Sequence, residues 1–196
     1  MDKEILFFFN QTIHSELLNP VFIFFSSRVA ALLFLIFPLA LLVKGYREKD
    51  KNLVKKIYIM LIATGITIAL ADIISSRIFK PLFQRPRPCQ TISDLWFWKK
   101  KKDIWILSDG IKSLKGSYSF VSSHASNSMG VAVLWSIFYK RWAWLFLSIA
   151  ILVGVSRMYL GVHYPSDIIG GFALGSFIAI FCKYLVEILK KKYIKG

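Results

Sequence analysis

Apolar residues gather in five long runs, at residues 21–43, 57–77, 120–139, 142–160 and 167–186, with charged or polar segments between them. A helix needs about 20 mostly apolar residues to cross about 30 Å of hydrocarbon, so the pattern predicts five spanning helices. A shorter run at residues 5–18 is interrupted by Asn10, Gln11, His14 and Glu16. It predicts an interfacial helix within residues 1–20, with a partly inserted sixth span as the alternative. The first residues are acidic as well as basic and lack a small-residue cleavage site, which is not the pattern of a removable signal peptide.

Composition agrees with lipid as the solvent. Of 196 residues, 56% are hydrophobic, with mean hydropathy +0.54, against roughly 45–50% apolar residues in soluble domains. The predicted fold class is therefore an all-α integral membrane protein, one domain over residues 1–196. Cys89 and Cys182 stand far apart, which suggests neither a disulfide framework nor a cysteine-based metal site. The Gly171-x3-Gly175 pair in the last run allows a close helix crossing, predicted to be used within the chain.

Basic residues near span ends set orientation. Residues 44–56 carry six basic and two acidic residues, Lys140 and Arg141 form a second basic turn, and residues 183–196 carry five basic residues against Glu187. Alternation puts these three segments on the cytoplasmic face. The N-terminus, the long loop at residues 78–119 and the short loop at 161–166 then share the outer face. That long loop holds nine basic residues against Asp94, Asp103 and Asp109. Lysines anchoring Trp96, Trp98 and Trp105 at the headgroup level explain it plainly; recruitment of a polyanionic substrate is the sharper reading.

The formal charge of +15 fits nucleic acid, anionic headgroups or a phosphorylated substrate. Its scatter among the spans disfavours nucleic acid. His163 precedes Pro165, a residue suited to the first helical turn, so it sits beside a helix start whose free N–H groups favour an anion. Asp167, four residues on, can bind one ring nitrogen and leave the other free to attack. Ser122, Ser123 and His124 open another span at the same level. Lys80 and Arg87 offer a point charge and a planar fork for phosphate oxygens, on a path stiffened by Pro81, Pro86 and Pro88. His14 lacks charged company and reads as an interfacial residue. Arg28 and Asp72 fall at similar depths in the first two spans, either as a mutual ion pair or lining the substrate's access path.

In order and spacing, Lys80-x6-Arg87-Pro88, Ser122-Ser123-His124 and Ser156-Arg157-x5-His163-x3-Asp167 resemble the three-part signature of the type 2 phosphatidic acid phosphatase superfamily. The likeness covers residues 80–167. In the middle motif Val121 and Ser123 stand where the family has proline and glycine. The resemblance implies a lipid phosphatase without metal or other cofactor. His163 would attack phosphorus and form a phosphohistidine; Asp167 would orient it. His124 would protonate the leaving oxygen and then activate water, while Lys80, Arg87, Arg157, the Ser122 hydroxyl and the Ser123 N–H would hold the phosphoryl oxygens.

The resemblance also places the protein in a bacterial inner membrane, its active site facing the periplasm or exterior, with membrane lipids as surroundings and a lipid phosphate as substrate. Small bacterial members include lipid A 1-phosphatases, undecaprenyl pyrophosphate phosphatases and phosphatidylglycerophosphate phosphatases. The basic outer loop favours a polyanionic headgroup, so lipid A 1-phosphate is the first expectation and the other two lipids are the alternatives. A reading from another class is a non-catalytic phospholipid carrier, which would leave an oriented His163 and Asp167 without a task. The sequence does not set the oligomeric state.

Overall fold

Three helices of the bundle start at side chains that accept otherwise unpaired backbone N–H groups. Asp50 Oδ1 accepts from Asn52 at 3.0 Å and Leu53 at 2.9 Å, and Ser122 Oγ accepts from Ala125 at 3.5 Å. Asp167, third residue of the last helix, reaches back to the Tyr164 N–H at 2.8 Å, the acidic half of a capping box.

The computed structural model describes residues 1–27, 29–99, 102–108 and 117–193. Its helices are α1 (Asp2–Phe7), α2 (Asn19–Phe25), α3 (Leu33–Arg47), α4 (Lys51–Ile73), α5 (Lys80–Phe83), α6 (Pro88–Thr91), α7 (Ser123–Phe138), α8 (Ala143–Tyr159) and α9 (Pro165–Tyr193). A π-helical turn, Phe8–Thr12, extends α1, and a second, Ile74–Phe79, joins α4 to α5. Strands β1 (Trp96–Lys99) and β2 (Ile104–Leu107) form an antiparallel hairpin in which Trp98 faces Trp105.

The segments Lys51–Thr91, Lys140–Tyr159 and Pro165–Leu189 are long and apolar enough to cross a membrane, and they contain three of the five predicted spans. Their outward residues, among them Ile62, Ile66, Ile169, Phe177 and Ile180, stay exposed, as a lipid-facing surface requires. Helix α7, with 16 residues, is shorter. The run at residues 21–43 is not one helix. Ser27 Oγ donates to Phe24 O at 2.7 Å and accepts from Val29 N at 3.2 Å, so a serine turn offers the backbone partners outside the helical ladder and separates α2 from the 15-residue α3.

Helix α7 lies between α4, α8 and α9. At one end Trp135 is fully buried, with its indole N–H donating to Thr64 Oγ1 at 2.8 Å and Phe34 and Phe146 meeting it edge-on. At the other end small residues let the backbones of α7 and α9 touch. A Cβ on Gly175 would lie 2.1 Å from Ser126 O, and one on Gly171 would lie 2.7 Å from Ser122 O. The Gly171-x3-Gly175 pair thus packs within the chain.

The segment at residues 78–119 carries α5, α6 and the hairpin rather than loop alone. Of the lysine run at 99–102, Lys99 ends β1 and Lys102 N–H donates to Lys99 O at 2.9 Å; Lys100 and Lys101 lie outside the described residues. Asn10, fully buried, pins the hairpin to α8: its Nδ2 donates to Trp96 O at 2.8 Å and Tyr159 O at 2.7 Å, while Oδ1 accepts from Trp96 N at 2.8 Å. Gly161, at φ +70°, passes so close that a Cβ would meet Trp96 O at 2.6 Å. His14 stacks on Trp96 at 4.7 Å and meets Trp105 edge-on, an aromatic packing role.

The α7–α9 crossing can be tested with two alanines. Gly175→Ala pushes a methyl into backbone and is expected to lower stability by at least about 1–3 kcal/mol. Gly65→Ala, which meets nothing within 4 Å, should leave stability unchanged or raise it slightly. Thermal unfolding in detergent reads both.

Candidate active site

The three sequence motifs converge because α4–α5, α7 and α9 end at one level of the bundle. The π turn at Ile74–Phe79 re-aims the chain just before Lys80, as π-helical turns often do beside functional groups. Lys80 Nζ then donates to Ser123 Oγ at 3.0 Å, and that hydroxyl also shares a hydrogen bond with Ser75 Oγ at 2.9 Å. The hydroxyl that replaces the family's glycine is thus engaged by the first motif. Ser122 is fully buried, its hydroxyl turned into the α7 cap, and its N–H donates to Asp167 O at 3.1 Å. That bond joins the second motif to the third.

His163 is 2% exposed and Asp167 is 0% exposed. His163 Nδ1 lies 3.4 Å from Asp167 Oδ2, near but not aligned as a hydrogen bond. On the opposite side, Arg87 Nη1 lies 3.4 Å from His163 Nε2. An ionised carboxylate only accepts and a guanidinium only donates, so this pair of neighbours favours the tautomer with the proton on Nδ1 and the lone pair on Nε2. Burial, followed by the nearby Arg87, Arg157, Lys80 and His124, holds the imidazole well below its ordinary value of 6.5.

Arg87 also donates to Val162 O at 3.2 Å and to Ser117 Oγ at 3.0 Å. Arg157 Nη1 donates to Ser26 Oγ, whereas its Nε is buried without a hydrogen-bond partner. Among the described residues, ion pairs within 4.0 Å involve Arg85 but not Lys80, Arg87 or Arg157. Lys80, Arg87 and Arg157, with no carboxylate within ion-pair distance among the described residues, all act on one buried imidazole, an arrangement suited to an anion with several oxygens. His124, second residue of α7, is exposed and close enough to act on His163 electrostatically.

Asp72 is exposed on α4, and its charge acts on Lys80. Arg28, its predicted counterpart, lies outside the described residues. Sequence reading missed Arg85, Asp2, Ser166, Ser75 and Ser26 as neighbours of the site. Arg85 was visible as the other arginine of Arg85-Pro86-Arg87-Pro88, but nothing in that repeat says which guanidinium faces which motif. Among the described residues, no cluster of three or more His, Cys, Asp or Glu side chains is placed to hold a metal ion.

Residues 52–191 match the PAP2 superfamily. The chain belongs to that superfamily. Among similar proteins, a lipid A 4'-phosphatase of Bacteroides thetaiotaomicron is 31% identical over 179 residues, 90% of this chain and 73% of that protein. A lipid A 4'-phosphatase of Porphyromonas gingivalis is 32% identical over 121 residues, 61% of this chain and 48% of that protein. The crystal structure of Aquifex aeolicus LpxE superimposes with a TM-score of 0.62 at 21% identity, covering 93% of this chain and 94% of that one. It has the same fold.

The depressed His163 value has a definite sign. The fold favours the neutral ring, so this contribution to stability is intact above about pH 6.5 and is lost as pH falls from there toward the folded value. Imidazole ¹⁵N shifts in detergent should show His163 neutral at pH 6.5. A midpoint at or above that value would contradict the burial argument.

Proposed function

We propose that this PAP2 protein is a metal-independent phosphatase that removes a phosphate from a membrane lipid through a phosphohistidine on His163. The single observation that carries the reading is an imidazole backed by Asp167 on its Nδ1 side, with Arg87 3.4 Å from Nε2 and with Lys80 and Arg157, which have no carboxylate within ion-pair distance among the described residues, near enough to act on the ring. His163 Nε2 attacks phosphorus as the bond to the lipid oxygen breaks. His124 gives its proton to that oxygen, and Asp167 accepts a hydrogen bond from the Nδ1–H, which stays on the ring, and stabilises the positive charge that develops there. Water, deprotonated by His124, then attacks the phosphohistidine; the P–N bond breaks and phosphate leaves. Lys80, Arg87, Arg157 and the Ser123 N–H hold the phosphoryl oxygens throughout, and preorganised cations of this kind supply most of the stabilisation in phosphoryl transfer. The Ser122 hydroxyl, used as a helix cap, contributes by fixing the start of α7.

In this reading α3 and α7 complete a five-helix bundle, residues 1–196 form one membrane domain in a bacterial inner membrane, and the motif end faces its outer side, an orientation that the basic segments at 44–56, 140–141 and 183–196 support. Tails stay in the bilayer while the headgroup enters. Lipid A is the substrate we favour, and of its two phosphates the 4' position comes ahead of the 1 position expected from the outer loop. The support is the 4'-phosphatase likeness across 90% of this chain.

Phosphate release from lipid A by the purified protein in detergent with excess EDTA, with mass spectrometry of the product, tests each part. Release should persist in EDTA and remove the 4'-phosphate, and His163→Ala should lower turnover by about four to six orders of magnitude. Abolition by EDTA would overturn the metal-independent mechanism, and undiminished turnover in His163→Ala would overturn the nucleophile. Lipid bound without any release would favour the carrier reading.

A further inference from the structure

Arg85 stands apart from the other cations of the site because it already has two carboxylates. Its Nη1 donates to Asp167 Oδ1 at 2.8 Å and to Ser166 Oγ at 2.6 Å, and its Nη2 donates to Asp2 Oδ2 at 2.8 Å. Ser166 closes the ring: its N–H donates to Asp2 Oδ1 at 2.9 Å and its hydroxyl to Asp2 Oδ2 at 2.6 Å. The guanidinium lies 4.0 Å over the Tyr164 ring, and the Arg85 carbonyl accepts the Ser119 N–H at 2.8 Å.

We propose that Arg85 is a positioning residue for the transfer pair, orienting the Asp167 carboxylate toward His163, with Asp2 and Ser166 tying that orientation to helix α1. The inference rests on the reading of His163 as nucleophile. A carboxylate has two oxygens with about four lone-pair sites. Arg85 holds Oδ1 and the Tyr164 N–H occupies one site on Oδ2, so the carboxylate plane is fixed with the free side of Oδ2 3.4 Å from Nδ1. Asp167 is fully buried, and without Arg85 its charge would lose its guanidinium partner and keep the Tyr164 N–H and the Ser119 side chain. The carboxyl would turn or take a proton, and in either case hold the Nδ1–H less well.

The geometry also separates Arg85 from phosphate binding. Two carboxylates share one guanidinium, so Arg85 adds no surplus positive charge to the anion site. Lysine in its place would bring a point charge but not the planar fork that spans Asp2 and Asp167. Helix α1, which the sequence presents as an interfacial segment, thereby becomes part of the catalytic end. Leu6, buried against Leu95, Ala125, Met158, Tyr164 and Ile168, anchors it there.

Arg85→Met, Arg85→Lys and Asp2→Asn in the full-length protein in detergent test the proposal, with kcat and KM for a lipid phosphate and the ¹⁵N titration of His163 as readouts. The charged groups acting on His163 are Asp167, Arg87, Arg157, Lys80 and His124; those on Arg85 are Asp2 and Asp167, beside the Tyr164 ring. Arg85→Met is expected to lower kcat by about 10- to 100-fold, the scale on which outer partners of a working imidazole act, with KM little changed. Arg85→Lys should recover part of that loss. Removing the cation should lower the His163 midpoint, because an Asp167 that turns or takes a proton no longer holds the Nδ1–H, and Asp2→Asn, which loosens the same ring of hydrogen bonds, should lower it by less. An unmoved midpoint in both Arg85→Met and Asp2→Asn, or a raised KM with intact kcat in Arg85→Met, overturns the proposal. If Arg85→Met fails to fold, Arg85→Lys and Asp2→Asn decide by the same readouts. A wild type that releases no phosphate from any lipid overturns the phosphatase reading instead, while the His163 titration still reports on the Arg85–Asp167 link.

Discussion

The close crossing of α7 on α9 is the constraint on which the rest of the site depends. Gly171 and Gly175 present bare backbone to Ser122 and Ser126, and only at that separation can the Ser122 N–H reach the Asp167 carbonyl at 3.1 Å. Two helix starts are thereby held side by side. His163 lies two residues before α9 and His124 one residue into α7, so a contact between small residues fixes the relation of the two histidines. In lipid, where burial between helices gains little from the hydrophobic effect, such small-residue packing is the usual source of precision.

Electrostatics then gives this juncture its chemical character. Desolvated cations are costly unless paired, yet among the described residues Lys80, Arg87 and Arg157 have hydroxyl and carbonyl hydrogen-bond partners in place of carboxylates. Arg157 keeps a buried Nε without a hydrogen-bond partner, and an unsatisfied buried donor of this kind calls for an explanation such as a ligand. Asp2 and Asp167 are engaged with Arg85 instead, while Asp72 acts on Lys80 only at a distance longer than an ion pair. One arginine therefore holds the carboxylates while its neighbour two residues on faces the histidine.

Covering elements protect this arrangement. The β1–β2 hairpin, pinned by Asn10, passes over Gly161, and from α6 the Cys89 N–H donates to Gly161 O at 3.2 Å, so the segment before His163 is held from two sides. The first motif and the third are thus joined through backbone as well as through Arg87. Segments that look like connections between spans supply much of the rigidity of the motif end.

Much of this protein is legible in one dimension. Apolar runs about 20 residues long, the basic segments between them and the three spaced motifs depend on local composition, so they announce the membrane class, the family and the residues Lys80, Arg87, His124, Arg157, His163 and Asp167 without any fold. The serine break after α2, the hairpin within residues 78–119 and the capping use of the Ser122 hydroxyl follow from local hydrogen-bond competition, which hydropathy does not register. Above all, the sequence shows Arg85 and Arg87 as near equals in one Arg-Pro repeat. Their opposite tasks, one holding Asp167 and Asp2 and the other facing His163 Nε2, were decided only when α1, α7 and α9 came together, because a guanidinium's role is set by the acceptors that long-range packing brings within about 3 Å of it.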